Sequence, residues 1–116
     1  MIKRKEAILY CLTFADVYED YPFRDANWCV IRHRSNQKVF AWIFDKDDHT
    51  WINVKCDREW RDFWRQAFKS VVPAYHLNKE HWNSIILDGT VPRKEIERMI
   101  RESYDLTKKK VKEKNN

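Results

Sequence analysis

The sequence contains very little glycine, proline or cysteine. Its 116 residues include one glycine, three prolines and three cysteines. One glycine cannot build the phosphate-binding loops G-x-x-x-x-G-K or G-x-G-x-x-G, so nucleotide sites of those two types are excluded. Cys11, Cys29 and Cys56 are odd in number and form no C-x-x-C pair, which argues against a disulfide framework and a zinc site. We expect buried free thiols in a reducing compartment.

Long hydrophobic runs are also missing. A membrane-spanning helix needs roughly 18–20 consecutive apolar residues, and no segment approaches that length. The apolar run near the N-terminus is too short for a secretory signal. We therefore expect a soluble, cytoplasmic protein with no membrane partner. With 43% hydrophobic residues the chain can form one core, and residues 1–107 are predicted to form a single domain.

The net charge of +5 is concentrated at the C-terminus. Residues 108–116 hold five lysines and one glutamate, whereas residues 1–107 hold 18 basic and 17 acidic side chains. We expect residues 108–116 to be a disordered basic tail, because they offer no apolar face that could dock. The overall positive charge therefore suggests nucleic-acid binding only for the tail. For residues 1–107, such binding would require local basic patches.

Apolar periodicity predicts three helices. The first covers residues 3–12, and the third begins at Pro92. The second begins after Asp57, a good N-cap residue. Its predicted inward face consists of Trp60, Phe63, Trp64, Ala67 and Phe68. The predicted inward face of the third helix consists of Ile96, Met99, Ile100, Ser103 and Tyr104.

Runs of β-branched and aromatic residues predict five strands, at residues 28–34, 38–45, 50–56, 73–77 and 81–87. Residues 13–27 are predicted to be an irregular connector, and Gly89 is expected to adopt a positive φ. The order α-β-β-β-α-β-β-α indicates an α+β fold with a single antiparallel sheet of about five strands and helices mainly on one face. The other face is then left for solvent, a partner or a ligand.

One segment and three shorter motifs carry a family resemblance. The segment is PAYHLNKEHWNSIILDGTVP, and the motifs are CLTFADVYEDYPF, INVKCDRE and MIRESYDL. Together they resemble the MmcQ/YjbR family over about residues 3–107. The resemblance implies a compact α/β domain similar to type III secretion chaperones and to the double-wing DNA-binding domain of a phage transcription factor. The second similarity underlies the family's DNA-binding description, although a fold does not fix a function.

The family's motif positions can be placed on this chain residue by residue. They are Pro22, Lys55, Tyr75, His76, Asn78, Lys79, His81, Trp82, Asp88, Gly89, Pro92 and Tyr104. The resemblance implies no established catalytic role for any of them and no cofactor.

Alternation along the third predicted strand points Ile52, Val54 and Cys56 inward and leaves Trp51, Asn53 and Lys55 on the uncovered face. The hairpin that follows could bring a second polar group to the same face, consisting of His76, Asn78, Lys79 and His81. Lysine neutralises phosphate, amides bond bases or phosphates, and aromatic rings stack, so this set suits nucleic acid. The alternative is structural: tryptophans pack across strands, and Asn or His beside a turn bonds local backbone.

The polar side of the second helix carries Arg58, Arg61 and Arg65, followed by Lys69. The stripe is a candidate phosphate track, although a solvated face with Asp62 as ion-pair partner is the commoner explanation. No metal-ligand set is present, since His76 and His81 lack further ligands. The sequence also contains no nucleophile motif.

Three functional hypotheses remain. The first is a DNA-binding domain that contacts the phosphates of duplex DNA through Lys55, Lys79 and the tail, aided by Trp51 and His76. The second is a protein-interaction or chaperone-like adaptor that binds no nucleic acid. The third is an enzyme whose catalytic residues the sequence does not reveal. In each case we expect a monomer or weak dimer.

Overall fold

The computed structural model of the protein describes residues 1–109, and the part of the predicted tail from residue 110 onward lies outside it. Three helices and six strands follow one another along these residues. They are α1 (Arg4–Cys11), β1 (Val17–Asp20), β2 (Cys29–His33), β3 (Val39–Lys46), β4 (His49–Lys55), α2 (Arg58–Ala67), β5 (Val71–Pro73), β6 (Trp82–Leu87) and α3 (Arg93–Thr107). None of the helices within residues 1–109 has the length and apolar character needed to cross a bilayer.

All six strands belong to one sheet, with the spatial order β1-β2-β3-β4-β6-β5. Every neighbouring pair is antiparallel. The predicted α+β class and the single antiparallel sheet are therefore confirmed, with six strands instead of about five. The observed strands differ most from the predicted strands at β1 and β5.

The additional strand, β1, lies within residues 13–27, which were predicted to be irregular. It pairs with β2, where Tyr18 is opposite Arg32 and Asp20 is opposite Val30. Its sequence, VYED, has too few apolar residues to show the alternation typical of a strand. An edge strand needs only one neighbour, and here the carboxylate of Asp20 accepts a hydrogen bond of 2.9 Å from the side chain of Arg32.

Strand β5 is shorter and earlier than predicted. It ends at Pro73, whereas the sequence predicts a strand over residues 73–77. Proline has no N–H to donate, which confines it to sheet edges and strand ends. The chain then leaves the sheet, and residues 74–81 form a loop that returns to β6 at Trp82. This loop shapes the candidate site described below.

The main core lies between the sheet and the helices. Strand residues of the core are Cys29, Ile31, Ala41, Ile43, Ile52, Val54 and Ile85, and they meet Ala7, Cys11, Trp64, Ile96, Met99 and Ile100 of the helices. The inward positions predicted for Ile52 and Val54 are confirmed. Gly89 has a φ of +89°, as predicted.

The three cysteines are buried free thiols, which confirms the prediction. Burial raises the pKa of the Cys56 thiol to about 11, with the charge of Glu102 adding to the rise. Cys56 is therefore protonated at neutral pH and is a poor nucleophile.

Helix α2 departs from its predicted burial. Asp57 caps it, because the Asp57 carboxylate accepts a hydrogen bond from the backbone N–H of Glu59. Of the predicted inward face, Trp64 is buried, while Trp60 and Phe63 are 43% and 50% exposed. Since α2 lies over the edge strand β5 and its neighbour β6, only one side of its apolar stripe finds a partner.

Candidate functional site

The face of the sheet away from the helices, called the open face below, carries a continuous cluster of aromatic rings. The members of this aromatic cluster are Phe23, Trp28, Trp42, Phe44, Trp51, Tyr75 and His76. The ring centroids of Trp28 and Phe44 are 4.2 Å apart in a stacked arrangement, and those of Phe44 and Tyr75 are 5.7 Å apart. Trp28 in turn lies 6.2 Å from the ring of His76.

A pocket of about 370 Å³ opens within this cluster. It lies where the segment before β2 and the 74–81 loop approach each other. Its walls are Phe23, Asp25, Trp28, Trp42, His76 and Leu77. Only Asp25 and His76 among them carry titratable side chains. The pocket therefore offers flat apolar ring surfaces with two polar groups, which is typical of a small-ligand or side-chain site.

The 74–81 loop is fixed to the sheet by a buried hydrogen-bond network. The side-chain amide of Asn53 donates to the carbonyl oxygen of Tyr75 at 2.9 Å. The hydroxyl of Ser84 accepts from the backbone N–H of Tyr75 at 2.9 Å and donates to the carbonyl oxygen of the Asn53 side chain. Asn53 and Ser84 are both 0% exposed. Asn53 thus lies on the predicted face, but its amide holds the loop and is not available to a ligand.

His76 occupies an unusual backbone conformation. Its φ is +63°, in the left-handed region that residues with a Cβ rarely adopt. Its ring is exposed, and its centroid lies 4.0 Å from that of Tyr75. Strained backbone often occurs at functional positions, and here it places an exposed imidazole against the aromatic cluster.

Lys46 is the cation most closely associated with the aromatic cluster. Its ammonium nitrogen lies 5.1 Å from the ring centroids of both Trp51 and Tyr75. A hydrogen bond to Asp47 raises the pKa of Lys46. The indole N–H of Trp51 donates to the backbone carbonyl of Lys46 at 3.0 Å, which fixes that ring on the sheet.

The other predicted residues of the 74–81 loop have mixed roles. The side chain of Asn78 accepts from the backbone N–H of Glu80 at 2.8 Å, and its carbonyl accepts from the N–H of Trp82 at 3.0 Å. Asn78 therefore shapes the loop, as the structural alternative predicted. Lys79 is exposed. Lys55 is half-buried and lies opposite Trp82 in the sheet.

The arginine stripe on α2 is not a free phosphate track. Arg61 donates to Asp62 at 3.0 Å and to the carbonyl of Glu80 at 3.1 Å. Arg65 donates to the side chain of Asn83 at 2.7 Å and also to the carbonyl of Lys79. Both guanidinium groups therefore tie the 74–81 loop and the start of β6 to α2. Arg58 is exposed, but α2 packs on the core side of the sheet, away from the aromatic cluster.

A second concavity lies between α2 and α3, on the core side. Its polar and apolar walls are Asp57, Trp60, Arg98, Arg101, Glu102, Asp105 and Leu106. Burial raises the pKa of the Glu102 carboxyl to about 7, and the charge of Asp57 adds to the rise. One oxygen of this carboxyl is buried and has no hydrogen-bond donor among residues 1–109.

Several residues of the open face were missed by sequence reasoning. Phe23 and Asp25 lie in the stretch predicted to be a connector, and Trp28 was expected only as a strand residue. The alternation of Trp42, Phe44 and Lys46 along β3 was the available signal, because it places all three on the face that carries Trp51. Over residues 1–109, no group of three His, Cys, Asp or Glu side chains is placed to hold a metal ion.

Comparison with known families decides the classification. The family model described as YjbR matches residues 12–106. The chain belongs to the YjbR family. This confirms the resemblance carried by the segment from Pro73 to Pro92 and its companion motifs.

Relatives and solved structures agree with the YjbR assignment. The chain is 38% identical to the uncharacterized protein YyaQ of Bacillus subtilis (strain 168) in an alignment over 100 residues that covers 77% of this chain and 84% of YyaQ. It is 28% identical to the uncharacterized protein YjbR of Escherichia coli (strain K12) over 78 residues, 67% of this chain and 66% of that protein.

Two crystal structures share the fold of this YjbR-family chain. Protein DR2400 of Deinococcus radiodurans, a DUF419 domain protein, has a TM-score of 0.84 at 33% identity, over 95% of this chain and 81% of DR2400. A protein from Pseudomonas syringae has a TM-score of 0.81 at 30% identity, over 91% of this chain and 99% of that protein.

Proposed function

We propose that this YjbR-family chain is a DNA-binding domain that takes its ligand on the open face. The observation that carries the proposal is the aromatic cluster, which lies on the face opposite the helices and remains partly exposed. Aromatic rings bind bases by stacking, and nearby cations attract the phosphate backbone. Lys55 and Lys79 supply positive charge from β4 and the 74–81 loop, whereas the charge of Lys46 is offset by Asp47 at 2.6 Å.

The role of the cations can be measured from the salt dependence of binding. The affinity for duplex DNA falls with salt with a log–log slope of about 0.9 for each phosphate neutralised. We expect the double variant Lys55→Ala, Lys79→Ala to flatten that slope by about two. The double variant Lys5→Ala, Lys94→Ala is the matched control, because it removes the same charge from exposed positions on α1 and α3. Equal slopes for the two double variants would contradict the proposed face.

The tail requires its own control. Residues 110–116 add three lysines and one glutamate, and such a segment attracts any polyanion irrespective of the folded surface. A chain that ends at residue 109 is expected to bind DNA more weakly than the full chain and to keep the dependence on Lys55 and Lys79. Complete loss of binding at low salt in that shortened chain would reduce the interaction to nonspecific attraction by the tail.

A protein-interaction adaptor is the second candidate, and the surface of α2 favours it. Trp60, Phe63 and Leu106 are exposed by 43%, 50% and 39%, and Trp60 and Leu106 border the concavity between α2 and α3. Exposed aromatic residues of this kind are typical of protein interfaces. The adaptor hypothesis predicts a partner that co-purifies after nuclease treatment and is lost from the double variant Trp60→Ser, Phe63→Ser. A partner that disappears on nuclease treatment alone would contradict it.

A further inference from the structure

We propose that the pocket in the aromatic cluster binds one unpaired base of single-stranded DNA, with preference for a base that carries an exocyclic amino group. The inference rests on the proposed DNA-binding function and assigns its ligand. It concerns the pocket formed by Phe23, Asp25, Trp28, Trp42, His76 and Leu77.

The size and walls of the pocket suit a single planar ring system. At about 370 Å³ it lies near the lower end of the range for small-ligand sites, about 300–1,000 Å³. The rings of Phe23 and Trp42 are close to parallel, at 23°, and their centroids are 6.3 Å apart. Trp28 stands nearly perpendicular to Trp42, at 83°, and closes a second side. Each base has two flat faces, so walls built from ring surfaces can stack with any of the four bases.

The polar groups of the pocket favour a hydrogen-bond donor on the ligand. One carboxylate oxygen of Asp25 accepts from the backbone N–H of Asn27 at 2.9 Å. The other oxygen has no donor among the side chains and backbone of residues 1–109. A carboxylate accepts from the amino group of cytosine, whereas thymine presents a carbonyl oxygen at the same ring position. The indole N–H of Trp42 is buried without an acceptor in the described part of the chain, so the recognition of the base edge rests on Asp25.

The pocket also favours single-stranded over duplex DNA. In a duplex both faces of each base are stacked and its pairing edge is occupied, so a base reaches the pocket only after unpairing, at a cost of a few kcal/mol. Single-stranded DNA bears no such cost. An exposed cation for its phosphates is close by, since Arg24 directly follows Phe23.

Binding of twelve-nucleotide cytosine and thymine oligonucleotides, measured by fluorescence anisotropy with the full chain, tests the stacking. We expect Phe23→Ala to weaken binding of the cytosine strand by about 5- to 150-fold, the range for loss of one stacked base. Leu9→Ala is the control, because Leu9 is an apolar residue of similar exposure, 53% against 50% for Phe23, and lies on α1. It should leave the affinity within about twofold of the unsubstituted chain. Equal effects of the two variants would overturn the pocket assignment.

Asp25→Asn tests the base preference without removing the turn, because an amide oxygen can still accept from the N–H of Asn27. The unsubstituted chain should bind the cytosine strand more tightly than the thymine strand by about 5- to 20-fold. In Asp25→Asn that ratio should fall to about one or reverse, because the new amide N–H donates to the thymine carbonyl. An unchanged ratio would refute the role of Asp25.

The outcomes separate this inference from the function on which it rests. If a twelve-base-pair duplex binds more tightly than the cytosine strand, depends on Lys55 and Lys79, and ignores Phe23→Ala, DNA binding stands and the base pocket is refuted. If neither single strands nor duplex bind at low salt, the proposed function itself fails.

Discussion

Replacing Ser84 by alanine tests how the 74–81 loop is held over the open face. The Ser84 hydroxyl accepts from the N–H of Tyr75 at 2.9 Å and donates to the side-chain oxygen of Asn53. The variant leaves the side-chain oxygen of Asn53 buried without this partner and the part-buried N–H of Tyr75 unpaired. Each such group costs about 1–3 kcal/mol, so we expect Ser84→Ala to lower the free energy of unfolding by about 2–4 kcal/mol. This is a large fraction of the stability of a typical domain, about 5–15 kcal/mol.

Urea unfolding measures the loss of stability, and hydrogen exchange locates it. We expect the amide proton of Tyr75 to exchange faster in Ser84→Ala than amides in the centre of β3, because the hydroxyl that accepts its hydrogen bond has been removed. Affinity for the cytosine strand should fall in parallel, because Tyr75 and the neighbouring His76 are no longer fixed against the cluster. A stability within about 0.5 kcal/mol of the unsubstituted chain, together with a Tyr75 amide that stays protected, would refute the reasoning.

Ser103 provides a matched control on the other face. Its hydroxyl also accepts from one backbone N–H, that of Lys55 at 2.8 Å, and donates to one oxygen, that of Phe40 at 2.6 Å. Ser84 and Ser103 are both 0% exposed. We expect Ser103→Ala to cost a similar free energy of unfolding while leaving Tyr75 protected. The comparison separates loss of global stability from release of the loop.

Three further substitutions test other parts of the structure. The raised pKa of Glu102, about 7 against an ordinary 4.5, means that the folded state holds a proton that the unfolded chain releases, so stability falls as pH rises through this window. The free energy of unfolding of Glu102→Gln, relative to that of the unsubstituted chain, should therefore rise by about 1–2 kcal/mol from pH 4 to pH 8 in urea titrations. This is less than the full linkage value because the carboxyl is half-exposed. A difference that does not change with pH would contradict the assigned cause. Gly89→Ala should cost about 1–2 kcal/mol in thermal unfolding because of the φ of +89°, and a neutral result would show that the turn relaxes readily. Arg65→Met should speed proteolysis within the 74–81 loop by removing the hydrogen bonds that tie it to α2, whereas Arg58→Met, which removes an exposed arginine, should not.

The α+β class, the single antiparallel sheet and its helix-facing core could be predicted from the sequence, because the spacing of apolar residues along a helix or strand already specifies which side is buried. Ile52 and Val54 follow this rule, and so do the buried positions of α3. Gly89 could also be predicted, since a lone glycine after a strand supplies the positive φ that a turn requires.

Burial of α2 could not be predicted in the same way. Periodicity shows that Trp60, Phe63 and Trp64 share a side of the helix, but it does not show how much of that side another element covers. Because α2 lies at the edge of the sheet, only Trp64 is buried. The pattern of apolar residues shows which side chains can be buried. Whether they are buried depends on whether another element packs against them.

The open face itself depended on contacts between residues far apart in the chain. Sequence alone determined that one face of the sheet would lack helices and would carry Trp51 and Lys55. Only the tertiary structure decided that Asn53 turns its amide to Tyr75, that Arg65 holds the loop, and that Phe23 and His76 meet across a pocket. The physical reason is that buried backbone groups must find hydrogen-bond partners wherever the fold offers them, and this choice leaves no periodic trace in the sequence.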